Sequence, residues 1–256
     1  MKISIITVVF NGASTIEDCI VSVLSQTYND IEYIVIDGSS TDGTGTIIAR
    51  FADKIYKVVS EPDAGIYDAM NKGVALATGE YIAFLNADDF YYRANSIEKM
   101  VEVLKNQDFG AAYADLLYVD RKNKHKITRY WQAGTYKENN FLFGWMPPHP
   151  TFVAKRIYYK QFGGFILDLG SAADYELMLR FVHIHKIKIG YMNQPMVVMR
   201  AGGVSNQTFE NRLKANNNDQ KAWVINDIKP YFFSLWLKPI RKIMQFLYKP
   251  TYLKIQ

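Results

Sequence analysis

Cysteine is almost absent from this sequence, and long apolar runs are missing altogether. The 256 residues include a single cysteine, Cys19, which cannot pair within the chain or supply a cysteine-based zinc or iron–sulfur site. A lone thiol fits a reducing compartment, so we expect a cytoplasmic protein. No apolar run approaches the roughly 18 to 20 residues that span a bilayer, which predicts a chain that does not cross a membrane.

Several common catalytic and nucleotide-binding motifs are also missing. The chain has neither a G-x-G-x-x-G nor a G-K-[ST] stretch, so a nucleotide would be held without the familiar dinucleotide or P-loop cradles. No nucleophilic serine motif and no cysteine–histidine pairing is found. Three of the four histidines show no metal-ligand pattern with acidic partners, whereas His149, in the rigid loop "PPHPT", could contact a ligand.

Charge is divided unevenly along the chain. Residues 1–110 carry 8 Lys and Arg against 16 Asp and Glu, whereas residues 111–256 carry 22 against 9. An acidic first half argues against nucleic-acid binding. Acidic groups beside a metal, and basic groups facing a polyanion or an anionic membrane, fit the division better.

Strand and helix patterns alternate through the first 105 residues. Apolar, β-branched runs predict strands, and apolar residues at helical spacing between them predict helices. A Ser14 to Glu17 spacing predicts a capping box at the first helix. The alternation predicts an α/β fold with a parallel sheet and right-handed crossovers. The predicted strands span 3–10, 31–37, 54–60 and 81–89, and the predicted helices begin at 14, 46 and 65.

The second half is less regular. Two strands, 111–119 and 124–131, are predicted around the charged turn "DRKNK", and a proline-rich loop follows. A turn at Gly163 precedes a predicted helix over 171–184, with a possible capping box from Ser171 to Asp174. Residues 186–200 are predicted as a pair of strands, followed by a polar helix and a basic, aromatic tail over 228–256.

Carboxylates follow the predicted strands, where ligands of parallel sheets bind. Two adjacent carboxylates, Asp88 and Asp89, favour a hard divalent cation, although a solvated turn would use the same residues. Asp37 could bind a ligand or could cap a turn. Asp63 could bind a ligand or could be the N-cap of the helix that follows. The predicted capping box at Asp174 competes in the same way with a catalytic role for that carboxylate. Lys72 could be solvated or could face a phosphate.

Seven ordered motifs together resemble the inverting family 2 glycosyltransferases, especially bacterial enzymes of surface-polysaccharide and O-antigen assembly. They are "ITVVFN", "IDGSSTDGT", "SEPDAGIYDAMNKG", "GEYIAFLNADD", "PHPTFV", "GGF" and "AADYELMLR". The resemblance implies the GT-A fold: a Rossmann-like, mostly parallel central sheet flanked by helices, a smaller mixed acceptor-side sheet and C-terminal helices. It also implies a nucleotide-binding half over 1–110 and an acceptor and catalytic half over 111–205.

The resemblance implies a role for each matching residue. Asp174 stands at the position of the catalytic base, and Asp88, helped by Asp89, at the site of Mn²⁺ or Mg²⁺. The sequence departs from the family's pattern at Asn86, where an Asp is common, and at Ala173, where a Glu often stands. The residues implied to line the nucleotide-sugar site are Val8, Phe10, Asn11, Asp37, Asp63, Asn71, Lys72, Asn86, Ala87, Asp88 and His149.

The expected activity is metal-dependent, inverting sugar transfer from a nucleotide sugar, expected to be UDP-linked, to a lipid-linked saccharide. Residues 206–256 are expected to bind the inner face of the plasma membrane, because their basic and aromatic residues are interleaved, although packing on the catalytic domain is the alternative. Two other functions stay open. One is a nucleotidyltransferase, which would normally carry a basic glycine-rich loop after the first strand; the other is a degenerate nucleotide-sugar binding module, supported by Asn86 and Ala173.

Overall fold

A computed structural model describes residues 1–202, residues 218–229 and the single positions 231, 234, 237, 241, 245 and 246. Within these residues, nine strands form one sheet: β1 Ile3–Val9, β2 Ile31–Asp37, β3 Lys57–Ser60, β4 Tyr81–Phe84, β5 Phe90–Tyr91, β6 Ala111–Val119, β7 Ile127–Trp131, β8 Val153–Lys155 and β9 Ile189–Arg200. Their order is β3-β2-β1-β4-β8-β6-β9-β5, and β7 pairs with β6. The predicted α/β fold is confirmed.

The first four strands are parallel, as predicted. β1 lies between β2 and β4, and β3 forms the edge beside β2. All seven side chains of β1 are buried, because helices cover both faces of the sheet at this point. The register aligns Val9 with Asp37 and Asp37 with Ser60, so these strands end at a common edge.

The remaining strands continue the same sheet, so the predicted smaller mixed sheet is not separate from the parallel one. β8 is antiparallel to both β4 and β6, and β9 is parallel to β6. The prediction of two strands over 186–200 is wrong, since β9 is a single strand of twelve residues. Its register with β6 shifts between Met192 and Pro195, where Asn193 and Gln194 are extra residues that let the strand continue past the proline.

Over residues 1–202, six α-helices surround the sheet. They are α1 Ile16–Leu24, α2 Thr44–Ala49, α3 Ile66–Leu76, α4 Ser96–Leu104, α5 Arg156–Phe162 and α6 Ala173–Met178, and α6 continues into a π-helical segment, Leu179–Ile184. Both predicted capping boxes are wrong. The helix α1 begins after Thr15 and α6 begins after Ala172, and neither residue makes a side-chain cap hydrogen bond.

Two apolar cores pack on opposite faces of the sheet. Ile6 and Ile34 face the core that α3 and α6 complete. Ile5 and Val35 face the other core, which α1, α2 and α4 complete. Alternate residues of each strand therefore enter different cores, as the two-residue period of a β-strand requires.

A further helical segment spans 218–225, and its Trp223 is buried in the first core. Most of the tail predicted to bind a membrane lies outside the described residues. At its described positions the tail contacts the domain: Gln245 accepts a hydrogen bond of 2.7 Å from Arg129 Nε, and Arg241 Nε donates to the Phe143 carbonyl. These contacts fit the alternative of a segment packed on the catalytic domain.

Candidate active site

The carboxyl ends of β1, β2 and β4 meet at one edge of the sheet, and the loops that follow them carry most of the predicted site residues. This edge is called the ligand edge below, because open parallel sheets bind ligands there. Val8 is buried within β1, and Phe10, just beyond the strand, is 66% exposed. Ala87 is buried in the loop after β4.

Asp37, the last residue of β2, is buried and surrounded by hydroxyl groups. Ser40 Oγ donates to its carboxylate at 2.5 Å and Ser60 Oγ at 2.6 Å, while Ser40 N adds two bonds of 3.2 Å. These donors compensate the burial of a charge. Asp37 therefore makes the turn-capping contacts that the sequence analysis gave as the alternative to ligand binding.

The loop after β1 is fastened to the loop after β2. Asn11 has a positive φ of 51°, accepts a hydrogen bond from Thr41 N at 2.9 Å, and donates its own N–H to Ser40 Oγ at 2.7 Å. Asp42 accepts from Ala13 N at 3.0 Å. Hydrogen bonds to Thr44, together with the one from Ala13, lower the pKa of Asp42. Sequence reasoning missed Asp42, although "STDGT" is a typical side-chain-capped turn.

Asp63 lies against the backbone of the Asp37 loop. A Cβ added at Gly38 would lie 2.4 Å from Asp63 Oδ2 and 3.4 Å from the Phe10 ring, so this approach requires glycine. Asp63 Oδ1 accepts from Gly65 N at 2.8 Å and closes the turn before α3, which has no side-chain cap. Phe10, Gly38 and Asp63 thus form a half-exposed corner at the ligand edge.

Asn71 and Lys72 on α3 both have partners within the protein. Asn71 donates to the carbonyl of Phe165 and accepts from its N–H, each at 2.9 Å. Lys72 Nζ lies 2.7 Å from the Pro62 carbonyl and 2.9 Å from Glu61 Oε1, and Glu61 raises the pKa of Lys72. These contacts hold the loops on either side of α3, so a ligand would meet Lys72 only by competing with Glu61.

The turn after β4 presents one carboxylate to solvent and buries the other. Asp88 is half-buried, whereas Asp89 is completely buried, and burial together with the Asp88 charge raises the pKa of Asp89 well above its usual range. Arg200, at the end of β9, donates through Nη1 to the Asp88 carbonyl at 2.6 Å and through Nη2 to Asp18. Sequence reasoning missed Arg200, which carries no local signal.

The same turn has oxygen atoms that fit a hard cation. Asn86 Oδ1 and Asp89 Oδ1 are buried acceptors without a hydrogen-bond partner. Carboxylate and amide oxygens suit Mg²⁺ and Mn²⁺. Over residues 1–202 and the other described positions, no group of three or more His, Cys, Asp or Glu could hold a metal by itself. A cation here would therefore take further oxygen ligands from a substrate.

Asp174 lies in the first turn of α6 beside two aromatic side chains of other elements. Its Oδ1 accepts from Tyr175 N at 2.7 Å, which leaves acceptor capacity on a half-buried carboxylate. Burial raises the pKa of Tyr67 well above its usual range, and the Asp174 charge adds to the rise. Burial lowers the pKa of His149, while Asp174 opposes that change. His149 stacks on Phe84, the last residue of β4, with ring centroids 5.7 Å apart.

The turn "GGF" that precedes Asp174 is held from two sides. Asn71 binds Phe165, while Arg180 donates to the carbonyls of Gly163 and Gly164 at 2.8 and 2.7 Å. Arg180 also pairs with the buried Glu176 at 2.7 Å. The turn places the Phe165 ring 5.3 Å from that of Tyr67, next to the Asp174 site.

Residues 4–160 match the family described as Glycosyl transferase family 2. The chain belongs to glycosyltransferase family 2. A PGL/p-HBAD biosynthesis glycosyltransferase of Mycobacterium bovis is 30% identical over 208 residues, which cover 79% of this chain and 78% of that protein. An uncharacterized family relative, a glycosyltransferase of Rickettsia typhi, is 31% identical over 72% of this chain and 60% of its own length.

Two solved structures share the fold at low sequence identity. TarS of S. aureus, residues 1–349 in complex with UDP-GlcNAc, superposes with a TM-score of 0.69 at 16% identity, covering 95% of this chain and 73% of that one. The mannosyltransferase PcManGT of Pyrobaculum calidifontis, in complex with GDP-Man and Mn²⁺, gives 0.66 at 20% identity, with 94% and 72% covered. The GT-A fold expected from the motifs is confirmed. In the described part of the chain, no helix has the length and apolarity to span a bilayer.

Proposed function

We propose that this glycosyltransferase moves a sugar, with inversion, from a UDP-sugar to a lipid-linked saccharide in polysaccharide or O-antigen assembly. The observation that carries the proposal is the pair of half-buried carboxylates, Asp88 after β4 and Asp174 at the start of α6. Phe84, at the end of β4, contacts His149, and the Asp174 charge affects the pKa of that histidine, so the two acidic sites flank one region.

The donor would bind along the ligand edge. The corner of Phe10, Gly38 and Asp63 combines an exposed aromatic ring with a carboxylate, which suits a nucleobase that stacks and donates N–H groups. Asn86 would reach a ribose hydroxyl, since its Oδ1 has no partner. The structures of TarS with UDP-GlcNAc and of PcManGT with GDP-Man support a nucleotide-sugar donor.

Asp88, together with Asp89, would hold a divalent cation, Mn²⁺ or Mg²⁺. When bound, such an ion stabilises the negative charge of a departing diphosphate. Asp89 is buried with one oxygen unpartnered, and Asn86 Nδ2 lies 3.5 Å from its other oxygen. Arg200 donates to the Asp88 carbonyl, so the main chain that carries this half-buried carboxylate is held in place.

Asp174 would act as the general base. As the acceptor oxygen bonds to the anomeric carbon and the bond to the diphosphate breaks, the acceptor proton passes to the Asp174 carboxylate. Attack from the side opposite the leaving group inverts the anomeric centre. The Tyr175 N–H donates to Asp174 Oδ1 at 2.7 Å and would hold that carboxylate in position, and burial lowers the pKa of the neighbouring His149.

The acceptor side and the membrane contact are also proposals. We assign residues 1–205 to the glycosyltransferase unit, its second half to the acceptor, and residues 206–256 to association with the inner membrane surface. The excess of Lys and Arg over residues 111–256 supports an anionic or lipid-linked acceptor. Packing of Gln245 beside Arg129 implies that any membrane contact of the tail is made by a segment also attached to the domain.

The first experiment is thermal unfolding with UDP, GDP, dTDP and CDP, each with and without Mn²⁺. A ligand that binds only the folded protein raises its melting temperature, so we expect a Mn²⁺-dependent rise with UDP. Asp174→Asn should show the same rise while turnover falls by at least about a hundredfold, because it retains the shape but not the base. No rise with any nucleotide would favour the degenerate binding module.

A further inference from the structure

The β6–β7 hairpin reaches the ligand edge from the second half of the chain. β6 and β4 are each antiparallel to β8, so they run in the same direction and end at the same edge of the sheet. The hairpin connection follows the end of β6, and Ala201 N donates to the Val119 carbonyl at 2.8 Å as β9 finishes beside it. The connection therefore projects beside the ends of the parallel strands.

This connection is strongly basic and exposed. Residues 121–126, the basic tip, have the sequence RKNKHK and are all exposed, and they include four Lys or Arg and no acid. Asp120 precedes them and accepts hydrogen bonds from Lys122 N at 2.9 Å and Asn123 N at 3.1 Å. The Asp120 carboxylate and the backbone thus fold the turn, and within the described part of the chain the side chains of Arg121, Lys122 and Lys126 form no hydrogen bond or ion pair.

Contacts join the basic tip to the turn that carries Asp88. Lys124 Nζ lies 3.3 Å from Asp18 Oδ1, and Asp18 Oδ2 binds the Arg200 guanidinium. Arg200 donates to the Asp88 carbonyl at 2.6 Å. These contacts place the tip beside the turn that carries the proposed metal site.

We propose that the basic tip binds an anionic phospholipid surface and turns the ligand edge toward it. The tip carries no aromatic or aliphatic side chain, so it would adsorb by charge without inserting. An enzyme whose acceptor is lipid-linked would then meet that acceptor with its active site facing the bilayer. Only this last consequence rests on the proposed function; the surface contact itself does not.

A membrane fits the tip better than a nucleic acid does. The acidic half of the chain supplies the neighbouring strand ends, and Asp18 lies directly beside Lys124. A polyanion that tracked along the edge would meet those carboxylates, whereas a flat surface can touch the protruding tip alone.

The test is binding of the full-length protein to phosphatidylcholine vesicles with and without phosphatidylglycerol, measured by co-sedimentation. The variant Arg121→Gln/Lys122→Gln/Lys126→Gln keeps Lys124 and Asp120. We expect its partition onto the anionic vesicles to fall by about fivefold for each cation removed, on the order of a hundredfold in all. The wild type should bind neutral vesicles poorly, and its binding to anionic vesicles should weaken as the salt concentration increases.

The matched control is Lys2→Gln/Lys54→Gln/Lys57→Gln, which removes the same charge from exposed lysines at the opposite edge, where β1 and β3 begin. Undiminished binding by the tip variant, or equal losses by both variants, would contradict the proposal. So would a preference of the wild type for a labelled RNA oligonucleotide over anionic vesicles. The UDP-induced rise in melting temperature is measured on the same samples; its absence in the wild type would count against the proposed function alone.

Discussion

At the scale of single residues, the contact between Gly38 and Asp63 shows how a missing side chain can place a functional one. The Asp63 carboxylate occupies space that any other residue at position 38 would fill. Of these two residues, Asp63 can move more easily. The contact described for its second carboxylate oxygen, Oδ1, is a hydrogen bond from Gly65 N. A substitution at Gly38 should therefore move Asp63 more than it disturbs the fold.

We predict that Gly38→Ala weakens UDP binding about tenfold while the free energy of unfolding changes by less than about 1 kcal/mol. The added Cβ displaces the Asp63 carboxylate, and the base loses a charged hydrogen-bond partner. Isothermal titration and urea unfolding measure the two quantities. Gly45→Ala is the control, because nothing lies within 4 Å of an added Cβ in α2 and its affinity should equal that of the wild type. An unchanged affinity in Gly38→Ala would exclude Asp63 from the base site.

At the scale of elements, Arg180 joins α6 to the turn after α5. Its guanidinium pairs with Glu176, one turn earlier on the same helix, and donates to three successive backbone carbonyls of the "GGF" region. Glu176 is completely buried and is also bound by Asn226 at 3.0 Å. The helix that carries Asp174 and the turn that carries Phe165 are therefore positioned together.

Arg180→Ala should destabilise the protein by about 3 to 5 kcal/mol, because it leaves Glu176 buried without its charge partner. Glu176→Gln/Arg180→Ala should recover part of that loss, since the neutral amide still accepts from Asn226. Lys99→Ala, which breaks an exposed pair with Glu102 of 2.9 Å, should cost at most about 1 kcal/mol. Denaturant unfolding of the three variants tests this, and a double variant no more stable than Arg180→Ala would refute a charge-burial penalty.

At the scale of the whole molecule, Arg200 connects three distant parts of the chain. It ends β9, its Asp18 partner lies on α1, 182 positions away, and the Asp88 carbonyl is 112 positions away. Its side chain is only 6% exposed and lies over the Phe90 ring, with the guanidinium carbon 5.1 Å from the centroid. The turn proposed to hold a metal thus depends on the last strand of the sheet.

We predict that Arg200→Lys lowers the unfolding free energy by about 1.5 to 3 kcal/mol, because an ammonium group cannot serve both partners of the guanidinium fork. The Mn²⁺-dependent part of the UDP-induced melting shift should shrink, while the metal-free part stays the same. Arg50→Lys is the control: it makes the same exchange in an exposed pair with Glu17, 2.7 Å long, and should change neither quantity appreciably. A full Mn²⁺ response in Arg200→Lys would show that the turn holds its shape without the guanidinium.

The sequence by itself determined the strand and helix alternation, the parallel first half and the positions of Asp37, Asp63 and Asp88 at or just beyond strand ends. Those features follow from local periodicity and from the order of elements, which a chain carries in its own spacing. The strands of the second half were harder to predict from the sequence. The register shift that makes β9 one strand depends on its pairing with β6. The two predicted capping boxes were wrong, since neither helix has a side-chain cap hydrogen bond at its N-terminus.

Only the tertiary structure decided which of these polar residues have partners within the protein and which are buried. It satisfied Asp37 with Ser40 and Ser60, tied Asn71 to a backbone 94 positions away, and buried Asp89 while leaving Asp88 half-exposed. Each outcome depends on which strands and loops are neighbours in the folded sheet. The spacing of residues in the sequence does not show which hydrogen-bond partners those neighbours provide. The same is true of the basic tip: its charge is visible in the sequence, but its place beside the ligand edge follows from the direction of β6.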